Sequence, residues 1–374
     1  MKAIILSCNT GQGHNTAGRA VLEALKARGL TAEMRDALSF GAHNASQYIS
    51  GSYIKVTQVN PNFFGKLYRA GKAISNSHTK SPVYLANTLY AGKLGQYIRE
   101  NGFDTVICPH LFPAECITYL RKRHEINVRH YAVATDYTCT PFWEETDVDA
   151  FFIPHQDLEE EYLSKGFTRE ILVPVGIPVS RVFRDRVERG EARRQLGLAQ
   201  DKTLYLLMSG SMGFGDVPEI AQRLLALSDE NTEVLVLTGH NDRLVEKLKV
   251  GFGNEPRLKM IGYTTQVALY MDACDVLLTK PGGLSSTEAA VKNIPLVHTR
   301  GIPGCETKNM DFFGRMGVAL PTHNPWESAL AAALLRSDQD LARRQTENQR
   351  REINANAAEE IVDYLLARER KNPE

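Results

Sequence analysis

The sequence Asp275-Val-Leu-Leu-Thr-Lys-Pro-Gly-Gly-Leu-Ser-Ser-Thr-Glu288 places a short buried strand, a pair of glycines and the start of a helix directly after one another. The apolar run 275–279 predicts the strand, and Gly282 and Gly283 allow the chain to turn sharply into the helix. A helix N-terminus reached in this way can bind a diphosphate through its free backbone N–H groups. Glu288 would lie in the first helical turn, where it either complements the helix dipole or accepts both hydroxyls of a ribose.

Two other glycine-rich turns follow predicted strands. The first strand leads into Ser7-Cys-Asn-Thr-Gly-Gln-Gly-His-Asn-Thr-Ala-Gly18, which has His14 inside the turn. An imidazole there can accept a proton near neutral pH, so His14 is a candidate base. The segment Ser209-Gly-Ser-Met-Gly-Phe-Gly215 follows another strand but lacks the spacing and the lysine of a phosphate-binding P-loop. Kinase and ATPase chemistry are therefore unsupported.

Buried strands alternate with helical segments twice along the chain, which predicts parallel α/β sheets in two doubly wound domains. The predicted strands comprise residues 3–7, 105–108, 130–135, 150–153 and 171–175 in the first half, and 203–209, 233–238, 275–279 and 296–299 in the second. We expect a first domain over 1–178, a charged linker over 179–200 and a second domain over 201–340. A last helix over about 341–368 carries an apolar stripe and should pack on another element.

Composition restricts the class of protein. The 374 residues are 43% hydrophobic and 24% charged, as in a folded globular protein of two domains. Because 44 basic residues balance 44 acidic ones, no general positive field points to nucleic acid. The sequence has no apolar run long enough to cross a bilayer and no signal-peptide pattern, so we expect a cytoplasmic protein. Its six cysteines form no C-x-x-C pair, which argues against a zinc site or a disulfide framework.

One segment departs from this charge balance. Residues 41–99 contain seven Lys and Arg residues and no Asp or Glu, interleaved with Phe and Tyr. Such a segment suits the anionic surface of a membrane. A solvated basic face, with the aromatic side chains turned into the core, explains the pattern equally well.

The ordered set of motifs resembles a family of glycosyltransferases. The matching stretches are Ser7–Gly18, Thr135–Trp143, Gly262–Asp275, Lys280–Pro295 and Pro303–Asn309. The family contains the monogalactosyldiacylglycerol synthases and the processive diacylglycerol glucosyltransferases, and more distantly the N-acetylglucosaminyltransferase that forms lipid II. The resemblance implies a GT-B fold, in which two Rossmann-like doubly wound α/β domains face a central cleft. It also implies that the carboxy-terminal segment, 341–374, crosses back to pack on the first domain.

The resemblance further implies a reaction and its participants. A hexose would pass with inversion from a UDP-sugar to a membrane lipid, most readily 1,2-diacylglycerol, without a cofactor or a metal ion. The donor would bind the second domain, and the acceptor the first. The protein would then associate peripherally with the inner face of the cell membrane, through an anionic lipid surface and without nucleic acid.

Site residues are implied by position in the motifs. His14 would be the catalytic base, with Asp136 orienting it or accepting the proton. Residues that would hold the donor are Gly210, Ser211, Gly213, Gly262, Tyr263, Gly282, Gly283, Leu284, Ser285, Glu288, Pro303, Gly304, Glu306 and Asn309. Among these, Gly282 to Ser285 would meet the diphosphate, Glu288 the ribose, Gly262 and Tyr263 the uracil, and Glu306 and Asn309 the sugar hydroxyls. Residues expected at the acceptor or membrane surface are Gly11, Gly13, Phe63, Phe64, Lys66, Arg69, Lys72 and Trp143.

Two departures from the family pattern leave alternatives open. Relatives commonly have Gly-Gly-Gly-His where this chain has Gly11-Gln-Gly-His14, and Gln where it has Cys305. Because that Gln is expected near the donor sugar, glucose, galactose and other hexoses remain open. A UDP-sugar epimerase of the same architecture and an inactive UDP-sugar sensor are two other functions. A nicotinamide-dependent enzyme is a fourth, since Asp36 resembles a ribose-binding acid, although Gly18 follows Gly13 by five residues rather than three.

Overall fold

The computed structural model describes residues 1–9, 12–41, 80–208 and 216–371, and these form two compact units. Unit 1 comprises the described residues up to Ser180, Pro303–Cys305 and those from Asn354 onward. Unit 2 comprises those of Arg181–Ile302 and Glu306–Ile353.

Unit 1 is built on a parallel six-stranded sheet with the strand order β2-β1-β3-β4-β5-β6. Its strands are β1 Lys2–Ser7, β2 Thr31–Asp36, β3 Thr105–Cys108, β4 Arg129–Val133, β5 Ala150–Ile153 and β6 Leu172–Pro174. Its described helices are α1 Gln12–Ala27, α2 Pro82–Asn87, α3 Ala91–Glu100, α4 Leu111–Lys122, α5 Glu159–Leu163 and, numbered in chain order, α15 Ala357–Lys371. Short 3₁₀ helices span Ala37–Phe40, Thr88–Tyr90, Trp143–Glu145, Gln156–Leu158 and Arg169–Ile171.

Unit 2 repeats this architecture with a sheet in the order β12-β11-β10-β7-β8-β9, again with parallel pairing throughout. Its strands are β7 Thr203–Met208, β8 Thr232–Gly239, β9 Leu258–Gly262, β10 Val276–Thr279, β11 Leu296–His298 and β12 Leu320–Pro321. Its described helices are α6 Arg181–Arg184, α7 Arg189–Leu196, α8 Val217–Leu227, α9 Asp242–Phe252, α10 Val267–Ala273, α11 Gly283–Val291, α12 Cys305–Arg315, α13 Pro325–Ser337 and α14 Gln339–Glu352.

The apolar strands explain why both sheets are parallel and covered by helices. Every residue of β3, β5 and β10 is buried, so these strands expose neither face to water. Strands that are apolar on both faces need helices on both sides of the sheet, which the β–α alternation of the chain supplies. The fold predicted from the sequence, two doubly wound α/β domains, is confirmed.

Each sheet reverses its winding direction at one place. In unit 1 the reversal lies between β1 and β3, and in unit 2 between β7 and β10. Ligands of open α/β sheets bind outside the carboxyl ends of the strands at such a switch point. Those ends lead into residues 8–12 and 109–110 in unit 1, and into residues 280–282 from β10 in unit 2.

Two segments differ from the sequence-based expectation. The predicted single helix over 341–368 is two helices, α14 in unit 2 and α15 in unit 1. Between them the side chain of Asn354 accepts the backbone N–H of Asn356 at 2.8 Å, and this local bond replaces a helical one. The apolar side of α15, including Ile361 and Leu365, packs into the core of unit 1 beside Leu25 of α1.

The expected linker over 179–200 contains α6 and α7 instead of an extended connection. Arg193 of α7 is buried, and its guanidinium donates to the carbonyls of Ala273, Gln200 and Lys202 and to the carboxylate of Asp275. A charged stretch can therefore be part of a packed unit when its cations find buried acceptors.

Candidate active site

His14 lies in the first turn of α1, where two oxygens hold its imidazole. Its Nδ1 atom is 2.9 Å from the carbonyl oxygen of Pro109 and 2.9 Å from Oγ1 of Thr135. A carbonyl oxygen can only accept, so Nδ1 carries the proton and Nε2 keeps its lone pair. Burial lowers the pKa of His14 from its ordinary value, while the bond to Pro109 acts in the opposite direction. The ring is therefore neutral at physiological pH, and Nε2 is able to accept a proton.

A second histidine, which the sequence analysis missed, lies against the first. The rings of His14 and His110 meet edge to face, with centroids 4.5 Å apart and an angle of 69° between their planes. His110 is the N-cap of α4, and its Nδ1 accepts the backbone N–H of Phe112 at 3.1 Å. Burial, and after it the neighbouring His14, holds the pKa of His110 well below its ordinary value. A histidine two residues after a buried strand was the one sequence signal that could have found it.

The predicted partner Asp136 lies on the loop after β4, directly after Thr135, and is partly exposed. This loop is fixed by Glu161 of α5, whose Oε1 accepts the hydroxyl of Thr138 at 2.6 Å and the N–H of Cys139 at 3.3 Å. The structure therefore brings Thr135 onto His14, and the role of Asp136 in orienting His14 stays a prediction.

Trp143 is a correction to the expected acceptor or membrane surface. The side chain is 6% exposed, and its ring packs against Phe151 of β5 with centroids 4.8 Å apart. The indole contributes to the core of unit 1 because β5 presents an aromatic face to it. The predicted acceptor residue Gly13 is the second residue of α1 and is partly exposed.

Asp36 ends β2 as the nicotinamide alternative required, but its carboxylate already has protein partners. The side chain of Asn9 donates to Oδ2 at 2.7 Å, and the backbone N–H of Leu38 donates to Oδ1 at 3.0 Å. Asp36 thus caps the following 3₁₀ helix, which argues against its use as a ribose-binding acid.

In unit 2 the turn after β10 and the helix α11 form the expected glycine-rich site. Gly282 is the N-cap of α11, and a Cβ atom added to it would meet no heavy atom within 4 Å. Gly283 and Leu284 are buried in the first turn, and Ser285 is partly exposed. The open space at Gly282, next to free helical N–H groups, suits a phosphate group. The hydroxyl of Ser286 lies 2.8 Å from Nε2 of the buried His298.

Glu288 is a buried carboxyl group to which none of the described residues offers a hydrogen bond or an ion pair. It is 6% exposed, and burial raises its pKa to about 8. A buried carboxylate without partners is unfavourable, and a ligand that donates hydrogen bonds to it would remove part of that cost. Glu288 lies in the second turn of α11, which begins at Gly283, and not in the first turn as the sequence predicted, so it does not complement the helix dipole there.

Glu306 and Asn309, expected at the sugar hydroxyls, hold the site together. One oxygen of Glu306 pairs with the ammonium of Lys280, and the other accepts the backbone N–H of Ile302 at 2.8 Å. Asn309 is fully buried, and its Nδ2 donates to the carbonyl of Pro281 at 2.9 Å. Both side chains of α12 therefore fix the turn 280–282.

Gly304 precedes α12 with a φ of 128°, a conformation that strongly favours glycine, and Pro303 beside it is exposed. At the end of β9, Gly262 leads into Tyr263, which is 66% exposed. The ring of Tyr263 stacks on His240, with centroids 4.4 Å apart and planes 15° apart. An exposed aromatic pair of this kind offers a face on which a planar base can stack.

Several predicted residues lie outside the described ranges, namely Gly11, Phe63, Phe64, Lys66, Arg69, Lys72, Gly210, Ser211 and Gly213. In the parts of the chain that the structure describes, no group of three or more His, Cys, Asp or Glu side chains could hold a metal ion. Over the same parts, no helix combines the length and the apolar character needed to span a bilayer.

Comparison with known proteins shows which proteins this chain resembles. The family model described as "Monogalactosyldiacylglycerol (MGDG) synthase" matches residues 14–179. The chain is 25% identical over 371 residues to a processive diacylglycerol beta-glucosyltransferase of Bacillus subtilis (strain 168), covering 98% of this chain and 94% of that protein. It is 24% identical to the enzyme of the same name from Bacillus cereus (strain ZK / E33L), covering 100% and 95%.

Among solved structures, MurG of Acinetobacter baumannii matches with a TM-score of 0.62 at 13% identity, covering 98% of this chain and 99% of that one. MnaA of S. aureus, solved with UDP, matches with a TM-score of 0.65 at 16% identity, covering 98% and 96%. At these identities the likeness concerns the fold alone, and it is the GT-B fold. The resemblance predicted from the sequence is thus confirmed: the chain has the GT-B fold, is similar over nearly its whole length to the processive diacylglycerol glucosyltransferases, and is similar over residues 14–179 to the monogalactosyldiacylglycerol synthases.

Proposed function

We propose that this glycosyltransferase moves a hexose from a UDP-sugar to the hydroxyl of a membrane lipid, most readily 1,2-diacylglycerol, with inversion at the anomeric carbon. The lipid acceptor is supported by relatives whose names describe action on diacylglycerol and which match almost the whole chain. The single observation that supports a nucleotide donor is the environment of Glu288. This buried carboxylate, without a partner among the described residues, lies in the helix that begins at the open turn of Gly282.

On this proposal the donor binds unit 2 in three places. The diphosphate is held by the backbone N–H groups that begin α11, because the helix dipole favours an anion there. The two ribose hydroxyls donate to Glu288, and the uracil stacks on Tyr263. The turn 280–282 keeps its shape through Asn309 and Glu306, whose bonds to Pro281 and Ile302 do not depend on the ligand.

The acceptor hydroxyl reacts at unit 1. As its oxygen bonds to the anomeric carbon, Nε2 of His14 takes the hydroxyl proton, and the bond to the UDP oxygen breaks. Nδ1–H stays on the carbonyl of Pro109, so the imidazolium that forms is stabilised on its other side. The leaving diphosphate is stabilised by the α11 N-terminus.

We further propose that the protein binds the cytoplasmic face of the cell membrane through the basic and aromatic segment 41–99, which reaches anionic lipid. The support is the charge pattern of the sequence. Changing Lys66, Arg69 and Lys72 together to Glu should reduce sedimentation with vesicles of phosphatidylglycerol while the affinity for UDP stays the same. Unaltered sedimentation would mean that the basic face is only solvated.

The reaction is tested by incubating the protein separately with UDP-glucose, UDP-galactose and UDP-N-acetylglucosamine in the presence of diacylglycerol vesicles. Mass spectrometry of the lipid and of the nucleotide fraction identifies the products. A glycosylated diacylglycerol supports the proposal and identifies the hexose. Isomerised UDP-sugar without glycolipid would indicate an epimerase, and binding without turnover would indicate a sensor; either result contradicts the proposal.

A further inference from the structure

Two imidazoles meet at the switch point of unit 1, and only one of them has a role in the proposed reaction. The rings of His14 and His110 are in edge-to-face contact, with centroids 4.5 Å apart. His110 makes a similar contact with Phe112, at 4.6 Å and 69°. His14 is thus packed against a ring that also contacts a second aromatic side chain.

The hydrogen bonds of the pair assign a proton to a different nitrogen on each ring. His110 accepts the N–H of Phe112 through Nδ1, so in its neutral form the proton is on Nε2. His14 donates from Nδ1 to the carbonyl of Pro109, so its Nε2 is the free base. Pro109 and His110 are consecutive residues, and the same short segment therefore determines both tautomers.

The surroundings of the pair also oppose a positive charge. His14 is in the first turn of α1, and His110 caps the first turn of α4, so the positive ends of two helix dipoles lie beside the rings. A helix N-terminus disfavours an imidazolium ion. Other titratable groups that end or follow the described strands at this edge include Cys8, Asp36, Cys108, Asp136 and His155.

We propose that His110 is a positioning residue for His14: its ring, fixed by the cap of α4, holds the imidazole of His14 with Nε2 as the base and excludes water from it. This inference rests on the proposed function of His14 as the base. It adds that the segment Pro109–His110 sets both the tautomer and the proton affinity of that base.

Two substitutions distinguish the contact that the His110 ring makes with His14 from the hydrogen bond by which His110 caps α4. Asparagine is a good N-cap, so His110→Asn keeps an acceptor for Phe112 and removes the ring beside His14. His110→Phe keeps an aromatic ring and removes the acceptor. Each variant is labelled with ¹⁵N-histidine, and the resonances of His14 are identified by their absence in His14→Gln. An NMR titration then gives the tautomer and the pKa of His14 without any substrate.

In wild type we expect the Nδ1–H tautomer of His14. In His110→Asn, water reaches the ring, so the pKa of His14 should rise toward its ordinary value and the two tautomers should mix. The kcat for glycolipid should fall about tenfold through misplacement of the base, with KM for the UDP-sugar unchanged. Because the base must be unprotonated, the acid limb of the pH profile should move to higher pH. His110→Phe should keep the His14 resonances of wild type and lose thermal stability.

A folded His110→Asn whose His14 keeps the tautomer and pKa of wild type would overturn the proposal. So would a change of the His14 resonances in Asp136→Asn that is absent in His110→Asn, because the positioning role would then belong to Asp136. Failure of the proposed function is seen separately, as absence of glycolipid product from wild type with every donor, and it leaves the NMR comparison valid.

Discussion

The backbone N–H of Ile302 donates to the carboxylate of Glu306 at 2.8 Å, across the turn that leads from β11 into α12. The second oxygen of the same carboxylate pairs with Lys280, which follows β10. Glu306 therefore links the loop that follows β10 to the loop that follows β11. Its position in the sequence suggested contact with a sugar, and its partners in the structure give it a function in the folded state of the donor site.

Replacing Glu306 by Ala should lower the free energy of unfolding by about 2–4 kcal/mol, because it leaves the mostly buried Lys280 ammonium and the Ile302 N–H without partners. Urea unfolding at constant pH measures this loss. Glu306→Gln is the matched control, since its amide oxygen can still accept from Ile302, and it should cost less. Unchanged stability of Glu306→Ala, together with a raised KM for the UDP-sugar, would return Glu306 to the role predicted from the sequence.

Two glycines near the same turn should respond oppositely to the same added methyl group. A Cβ on Gly301 would lie 2.7 Å from Cγ of Pro281, so Gly301→Ala must displace the turn and should cost about 1–3 kcal/mol of stability. A Cβ on Gly282 would meet nothing within 4 Å, and its φ of −72° suits alanine. Gly282→Ala should therefore unfold like wild type and still bind UDP more weakly, because the methyl group occupies the space of the phosphate.

Urea unfolding and titration calorimetry with UDP distinguish the two glycines. A Gly282→Ala variant with the UDP affinity of wild type would show that the diphosphate lies elsewhere. A Gly301→Ala variant as stable as wild type would show that Pro281 can move without cost.

The local patterns of the sequence predict the sheets and the residues that lie in the glycine-rich turns. His14 directly follows Gly13, and Glu288 lies five residues after Gly283, so a short stretch after an apolar strand already identifies each of them. His110 has no such neighbours. It reaches His14 only because β1 and β3 pair in parallel, with Ile4 opposite Val106, and this pairing joins residues about a hundred positions apart in the chain.

The partners of individual side chains were harder to predict, because they too are far apart in the sequence. The motif around Glu306 predicted a contact with the donor sugar. Its partner in the structure is Lys280, which is 26 residues away in sequence. The burial of Trp143 depends on the aromatic residue that β5 presents, and no pattern around Trp143 contains that information. The break before α15 had a local signal in Asn354 and Asn356, which the regular spacing of apolar residues hid.

Glu288→Ala should weaken UDP binding by about 1.5–3 kcal/mol, the usual contribution of hydrogen bonds to a charged group, and titration calorimetry measures it. Glu360→Ala is a control for the removal of a glutamate elsewhere, because Glu360 is exposed on α15 of unit 1, and it should keep the UDP affinity of wild type. If UDP binds a folded Glu288→Ala variant as it binds wild type, Glu288 does not contact the ribose.

The contribution of buried Glu115 to stability should fall as the pH rises from about 5 to 8, and comparison with Glu115→Gln separates it from that of the buried histidines, whose lowered pKa values act in the opposite direction. Burial raises the pKa of Glu115 to about 8, although the side-chain amide of Asn87 donates to one of its oxygens. Between the unfolded value near 4.5 and the folded value, the folded state holds a proton that the unfolded state has lost. The stabilising contribution is therefore complete below the lower value and disappears as the pH passes the upper one.

Glu115→Gln cannot ionise, so its free energy of unfolding should fall less between pH 5 and 8, and at pH 8 it should exceed that of wild type by roughly 1–3 kcal/mol. Urea unfolding at several pH values tests this. Glu100→Gln, at an exposed position on α3, should keep the slope of wild type. If the free energy of unfolding changes with pH in the same way for wild type and Glu115→Gln, Glu115 ionises normally.

His14→Ala should lower kcat by about two orders of magnitude or more and leave the affinity for UDP nearly unchanged. An acceptor hydroxyl loses its proton only far above neutral pH, so attack on the anomeric carbon needs a base, and a positioned base contributes about 10²–10⁴-fold. The Nδ1–H bond to Pro109 leaves Nε2 for that proton, and Tyr263, Gly282 and Glu288, which are expected to hold UDP, belong to unit 2. Asp136→Asn should be comparably damaging if the two side chains act together, and the double variant should then lose little more than either single one. Steady-state rates with diacylglycerol, alongside calorimetry with UDP, give both quantities. Should His14→Ala turn over at nearly the rate of wild type while Asp136→Asn is inactive, the proton goes to Asp136, and His14 serves only to shape the turn.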